Sequence, residues 1–189
     1  LVAGSAALLV GLGLGLQNFF SDFFSGIILF IDSSTKVDDI IEVNGMVCKV
    51  QKINLRTTTV LTRDDRFIIL PNTDLTRNKI INWTHSDITS RFDITVGVDY
   101  NSDPAMVISV MERVMRDTKQ VKTFPKAFVR LNNYAESSLI FTMYFWSDEV
   151  FRVENIKSDM RIQLFYALKA ANIGIPFPQR VVHIRDQSR

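Results

Sequence analysis

The first 31 residues, LVAGSAALLVGLGLGLQNFFSDFFSGIILFI, carry a single charge, Asp22, after an uncharged run of 21. An apolar run of that length suits a bilayer-spanning helix and not a globular core element. Gly4, Gly11, Gly13 and Gly15 each cost about 1 kcal/mol of helix propensity relative to Ala, so an offsetting interaction is expected. Gly11 and Gly15 stand four apart, the spacing at which small residues let helix backbones touch in a membrane. At about 100° per residue, Ala3, Ala7, Val10, Leu14 and Gln17 fall on one stripe, with Gly11 and Gly15 on its flank and Leu8 and Leu12 opposite. From Phe19 onward the apolar residues cover half of the helical wheel and Ser21, Asp22 and Ser25 gather on the other half, which is the pattern of an interfacial helix. The change of pattern predicts a bend at Gln17-Asn18, with Gly26 as a second weak point.

Beyond Ile31 the period changes from helical to alternating. Ile40-Ile41-Glu42-Val43, Asn44-Gly45 and Met46 to Val50 predict a hairpin, because Asn-Gly accepts the positive φ values of a type I′ turn. A second hairpin is predicted from Ile53–Leu61 and Phe67–Leu70, turned by Arg63-Asp64-Asp65-Arg66 and stopped by Pro71-Asn72. Thr73 to Asn82 reads as a helical turn and a short strand, and Thr84–Asp87 as a linker. Then follow a strand over Arg91–Val98, a helix opened by Asp103-Pro104, strands over Ala127–Asn132 and Leu139–Trp146, and a long amphipathic helix over Arg152–Ala171 that Gly174 is expected to end. Val181–Ile184 is the last predicted strand. The order β-α-β-β-α-β is that of a ferredoxin-like domain.

Composition and charge narrow the function. With 189 residues and 47% hydrophobic content the chain has ample material for a packed core, and its net charge of +2 includes no basic stripe of the nucleic-acid-binding kind. Lys126–Leu131 lacks the Gly and doubled aromatics of an RNA-recognition strand, so Phe141, Tyr144, Phe145 and Trp146 read as core and subunit-contact residues. Cys48 is the lone cysteine, so no intramolecular disulfide forms, and it reads as a buried strand residue. His85 and His183 stand far apart without ligand-spaced neighbours, so neither a metal site nor a cofactor is expected. Glycines 11 to 15 lie in an apolar helix without the Lys-Ser/Thr of a phosphate loop. Asp22, an ionisable group among phenylalanines at a membrane boundary, reads either as part of a solvated polar face or as a partner of the Arg63–Arg66 turn, which would couple the helix to the first soluble domain through Arg63 and Asp65. A chain that starts with Leu and enters an apolar run at once reads as a piece of a longer protein.

The residues Gly11-Leu-Gly-Leu-Gly-Leu-Gln17, Asn18, Asp22 and Gly26, then Thr57–Asp65 and Leu70-Pro71-Asn72, resemble the bacterial small-conductance mechanosensitive channel family. Asn44-Gly45, Asn78–Trp83, Gly97-Val98-Asp99-Tyr100 and Ile175-Pro176-Phe177-Pro178-Gln179 extend the resemblance over nearly the whole chain. It implies an α+β membrane protein: a pore-lining helix and interfacial helix over 1–31, a small SH3/Lsm-like β domain over 32–84, a ferredoxin-like α/β domain over 85–179, and a C-terminal strand and tail over 180–189. It also implies a homoheptamer in the bacterial inner membrane, with residues after about 32 in the cytoplasm, and membrane lipids and permeating ions and solutes as partners. Val10 and Leu14 would form the pore constriction, Ala3, Ala7 and Gln17 line the pore, Gly11 and Gly15 pack the helices, and Asn18 and Gly26 act as hinges. Leu is usual at both constriction positions, Gly at 18 and 65, and Ile at 70, so this chain departs from the pattern at Val10, Asn18, Asp65 and Leu70.

The expected function is a tension-gated ion channel, not an enzyme, that releases ions and solutes on osmotic downshock. A membrane-anchored module that binds a ligand or partner without forming a pore, and a membrane-tethered enzyme, are the readings from other classes.

Overall fold

The computed structural model describes residues 2–84 and 89–182, with side chains from Leu8 onward. It opens on one helix, α1, over Val2–Asp32. Leu8–Asp32 is long and apolar enough to cross a membrane. Hydrogen-bonded helix runs unbroken through Asn18 and Gly26, so any hinge at those positions acts within a continuous helix.

Five strands follow, β1 over Ile40–Val43, β2 over Met46–Ile53, β3 over Thr57–Thr62, β4 over Phe67–Pro71 and β5 over Ile80–Asn82, with the short helix α2 over Asn72–Arg77 before β5. They form one sheet in the order β4-β3-β2-β1-β5, every described pair antiparallel. Asn44 and Gly45 take φ values of 52° and 76°, as a type I′ turn demands, and set Ile41 opposite Cys48. That register points Ile41, Val43, Cys48, Val50 and Val60 into one core, which Leu29 of α1 and Leu75 of α2 complete. The expected strand Ile53–Leu61 is divided: Ile53 ends β2, and residues 54–56 turn so that the Asn54 N–H donates to the Thr57 carbonyl at 2.8 Å. Thr-rich alternation identifies β3, but nothing in its pattern marks where the preceding turn falls.

The chain divides into two compact units, Leu1–Ser90 with Val150–Arg152, and Arg91–Glu149 with Val153–Arg189. In the second, β6 (Ser90–Val98), α3 (Pro104–Asp117), β7 (Phe128–Tyr134), β8 (Leu139–Ser147) and α4 (Val153–Ala170) follow the ferredoxin-like order, with strands arranged β6-β8-β7. Asp103 caps α3 by accepting from the Ala105 N–H at 3.0 Å, with Pro104 in the first turn. Leu139, Phe141, Met143 and Phe145 of β8 are buried, as are Val107, Val110, Met111 and Val114 of α3 and Ile156, Met160, Leu164 and Leu168 of α4. Tyr144 and Trp146 alternate to the other face of β8, where Phe128 stacks on Tyr144 with ring centres 5.0 Å apart.

Two expectations for the C-terminal part change. It is Asn172, at φ 55°, that takes the left-handed position after α4, while the Gly174 carbonyl instead accepts from the Asp99 N–H at 2.9 Å. Val181 and Val182 lie in no strand, and the rest of the expected strand, with His183, falls outside the described residues, as do His85 and residues 86–87 of the linker.

Candidate functional site

On α1, residues Leu8 to Phe20 are exposed, with Val10 at 63% and Leu14 at 68%. A Cβ built on Gly11, Gly13 or Gly15 meets nothing within 4 Å, and Gly11 and Gly15, with Leu8, Leu12 and Leu16, line an open groove along the helix. Gln17 and Asn18 are exposed on the same stretch, and Ala3 and Ala7 lie on its first turns.

The second half of α1 behaves differently. Ser25 and Leu29 are buried, Gly26 with them, and Asp22 is half-buried, an i, i+3, i+4, i+7 face pressed on the β domain. Phe20, Phe24, Ile28 and Ile31 point away and are exposed. Three polar residues of this face meet three of α2. The Arg77 guanidinium donates to Ser21 Oγ at 2.7 Å, Thr73 Oγ1 to Asp22 Oδ1 at 2.7 Å, and Thr76 Oγ1 to Ser25 Oγ at 2.8 Å. Arg56 adds a cation over the Phe19 ring, 4.9 Å from its centre.

Gly26 makes the closest approach. A Cβ there would stand 2.1 Å from the Leu55 carbonyl oxygen and 2.7 Å from Asn72 Nδ2. Asn72 is fully buried and donates from Nδ2 to the Asn54 and Leu55 carbonyls at 3.0 and 3.1 Å, while its Oδ1 accepts from Thr58 Oγ1 at 2.8 Å. One amide thus satisfies the backbone of the 54–56 turn on which Gly26 sits, where unpaired carbonyls would be costly. The position expected to be a hinge is a packing contact in this structure.

The expected link from Asp22 to Arg63 and Asp65 is not formed in this chain, where Asp22 accepts from Thr73 of α2. Arg63 instead donates to the Val150 carbonyl at 3.3 Å, and Asp65 pairs with Arg152 at 2.9 Å. Asp65 holds φ 59°, the left-handed region where glycine is favoured and Asp tolerated. Reading the sequence did not single out Thr73, Thr76 or Arg77. Their signal is a polar stripe at i, i+3 and i+4 of α2, matching the Ser21, Asp22, Ser25 stripe of α1.

An exposed apolar helix long enough to span a bilayer, whose second half turns a polar face to a small β domain, in a chain that also carries a ferredoxin-like unit, is the layout of a membrane-anchored protein. Residues 18–85 match the family described as mechanosensitive ion channel, beta-domain, and residues 92–175 that described as mechanosensitive ion channel MscS, C-terminal. A small-conductance mechanosensitive channel of Edwardsiella ictaluri is 33% identical over 93% of this chain and 60% of that relative, and an MscS family protein of Synechocystis is 33% identical over 97% of this chain and 62% of its own length. The closed-state crystal structure of Helicobacter pylori MscS superposes with a TM-score of 0.88 at 28% identity, covering 98% of this chain and 73% of that one. The chain belongs to the MscS family of mechanosensitive channels. It spans about three fifths of the length of the curated relatives it matches.

Proposed function

We propose that this chain supplies the pore-lining helix and soluble domains of an ion channel opened by membrane tension, which passes ions and small solutes on hypoosmotic shock. The observation that carries the reading is the contrast within α1: exposed and flanked by an empty glycine groove up to Phe20, then clasped to α2 from Ser21 on. Such a groove seats a neighbouring helix, and by its family resemblance the chain works as a homo-oligomer of seven. Around such a ring Val10 and Leu14 face the axis and form an apolar constriction that is unfavourable for water and ions until the helices separate. Ala3, Ala7 and Gln17 line the passage, Gly11 and Gly15 seat the neighbouring helix, and lipids contact the bulky side at Leu8 and Leu12. Tension favours the wider state because that state occupies more bilayer area. The membrane is the bacterial inner membrane, with residues after about 32 in the cytoplasm.

Motion of α1 reaches the β domain through Asp22 and its neighbours on α2, while Arg63 and Asp65 tie the β domain to residues 150–152. Asn18 and Gly26 act as hinges only to the degree that the Gly26 contact with Leu55 and Asn72 is released. The experiment is excised-patch recording of the full-length protein under suction, with its oligomeric state measured in detergent. Stretch-activated current from a ring supports the reading. A monomer or dimer without such current overturns it and leaves a membrane-anchored binding module.

A further inference from the structure

The second unit contains a pocket of about 340 Å³ where the last turns of α3 meet the loop before β7. Met115 and Val121 make its apolar floor, and Glu112, Arg116, Lys122 and Lys126 stand around it. The volume is that of a small-molecule site, and half of the lining residues are charged, which suits a small charged ligand. Lys122 is already engaged, donating to Asp148 and holding that carboxyl below the usual carboxylate range. Among the described residues, the side chains of Arg116, Lys126 and Glu112 have no ion-pair or hydrogen-bond partner, although Glu112 stands four residues before Arg116 on the same helix. The C-terminal end of α3 by itself favours Arg116, and Lys126 comes to the same rim from a separate loop. Two cations and one carboxylate, all at exposed positions around an apolar floor, give the pocket a net single positive charge.

We propose that this pocket binds an acidic amino acid. Arg116 and Lys126 hold its two carboxylates, Glu112 its ammonium group, and its methylenes rest on Met115 and Val121. The complement of charge is then complete, one net negative ligand against one net positive site. A solute-binding site in a soluble unit of a channel chain gives the released solute a means of acting on the channel.

The test is isothermal titration of the detergent-solubilised full-length protein with L-glutamate, and with glutarate, which has the same two carboxylates and no ammonium. Saturable binding of glutamate is expected, tighter than that of glutarate. Arg116→Gln and Lys126→Gln, both at exposed positions, weaken glutamate by about tenfold or more each. Glu112→Gln weakens glutamate while strengthening glutarate, a reversal that simple loss of folding does not produce. Absence of saturable glutamate binding, binding of equal strength in Arg116→Gln, or an unchanged glutamate preference in Glu112→Gln would overturn the proposal. None of these results depends on whether the protein conducts, so the site fails or stands separately from the channel reading.

Discussion

Asp22 and Thr73, 51 residues apart, are joined by a hydrogen bond of 2.7 Å from the threonine hydroxyl to the carboxylate. It is the central link of the clasp between α1 and α2, flanked by those of Ser21 and Ser25. A hydrogen bond to a charged group typically contributes about 1.5–3 kcal/mol. Asp22→Ala and Thr73→Val each remove it, so each should alter the tension threshold or the rate of inactivation in patch recordings. The double variant should differ little from either single one, a coupling that identifies the pair. Arg63→Gln should leave this phenotype absent, since Arg63 meets Val150 and not Asp22. Additive effects of Asp22→Ala and Thr73→Val would show that the two act separately.

Gly26 tests whether the clasp needs the close approach beneath it. Alanine in a helix is favoured over glycine by about 1 kcal/mol, but its Cβ here stands 2.1 Å from a backbone oxygen that cannot swing aside. Overpacking of this kind costs about 1–3 kcal/mol, so the contact loses. Gly26→Ala should therefore speed amide hydrogen exchange in residues 54–56 and α2. Gly15→Ala, where the added methyl meets nothing within 4 Å in the chain, should leave exchange there unchanged and act through neighbouring subunits on assembly or gating. Protection in α2 unaltered by Gly26→Ala would remove Gly26 from the docking surface.

What could be read in advance was whatever local chemistry decides alone. Asn44-Gly45 specifies its turn by φ, the alternation of β8 specifies which face is buried, and the apolar stripe of α1 specifies a membrane helix. Asn72 was visible only as the residue after a strand-ending proline. Its role depends on carbonyls 17 and 18 residues back that have no sequence signature, because every residue has a carbonyl. The partner of Asp22 lacks a sequence signature for a related reason. A carboxylate's most obvious complement in sequence is an arginine, whereas α2 presents a hydroxyl at the right height once it is folded against α1. Likewise Asn172 took the left-handed turn expected near Gly174, since asparagine tolerates that conformation and lay closer to the end of α4.

Cys48 gives the soluble part a pH signature. It is fully buried in the β-domain core, and burial pushes its thiol up to about 11. In the unfolded chain a thiol titrates near 8.5, so between about 8.5 and 11 the unfolded state loses a proton that the folded state keeps. Stability from this group is therefore complete below pH 8.5 and falls as pH rises, with a slope of at most about 1.4 kcal/mol per pH unit for one proton. Thermal unfolding of the detergent-solubilised protein should decline more steeply over that window than unfolding of Cys48→Ala, although the variant starts lower for lack of the buried sulfur. Native protein should also resist maleimide at pH 7.5 and react once denatured. Equal pH slopes in the two proteins would show that the thiol does not contribute.

The constriction is the remaining point, and the two candidate rings are not equal. Leu14 is the larger side chain and Val10 the smaller, both exposed in the single chain at 68% and 63%. Replacing leucine by serine exchanges an apolar surface worth about 2 kcal/mol of hydrophobic free energy per side chain for a hydroxyl that binds water, and a ring multiplies the change by the number of subunits. Leu14→Ser should therefore hydrate the closed pore, giving current at low or zero suction and slowed growth of cells that express it. Val10→Ser should lower the threshold less, because a ring of valines leaves a wider passage that contributes less to the seal. Gln17→Ala, on the same stripe but already polar, should change conductance more than threshold. A normal threshold in Leu14→Ser together with a leak in Val10→Ser would move the seal one turn up the helix, and normal thresholds in both would remove the stripe from the gate.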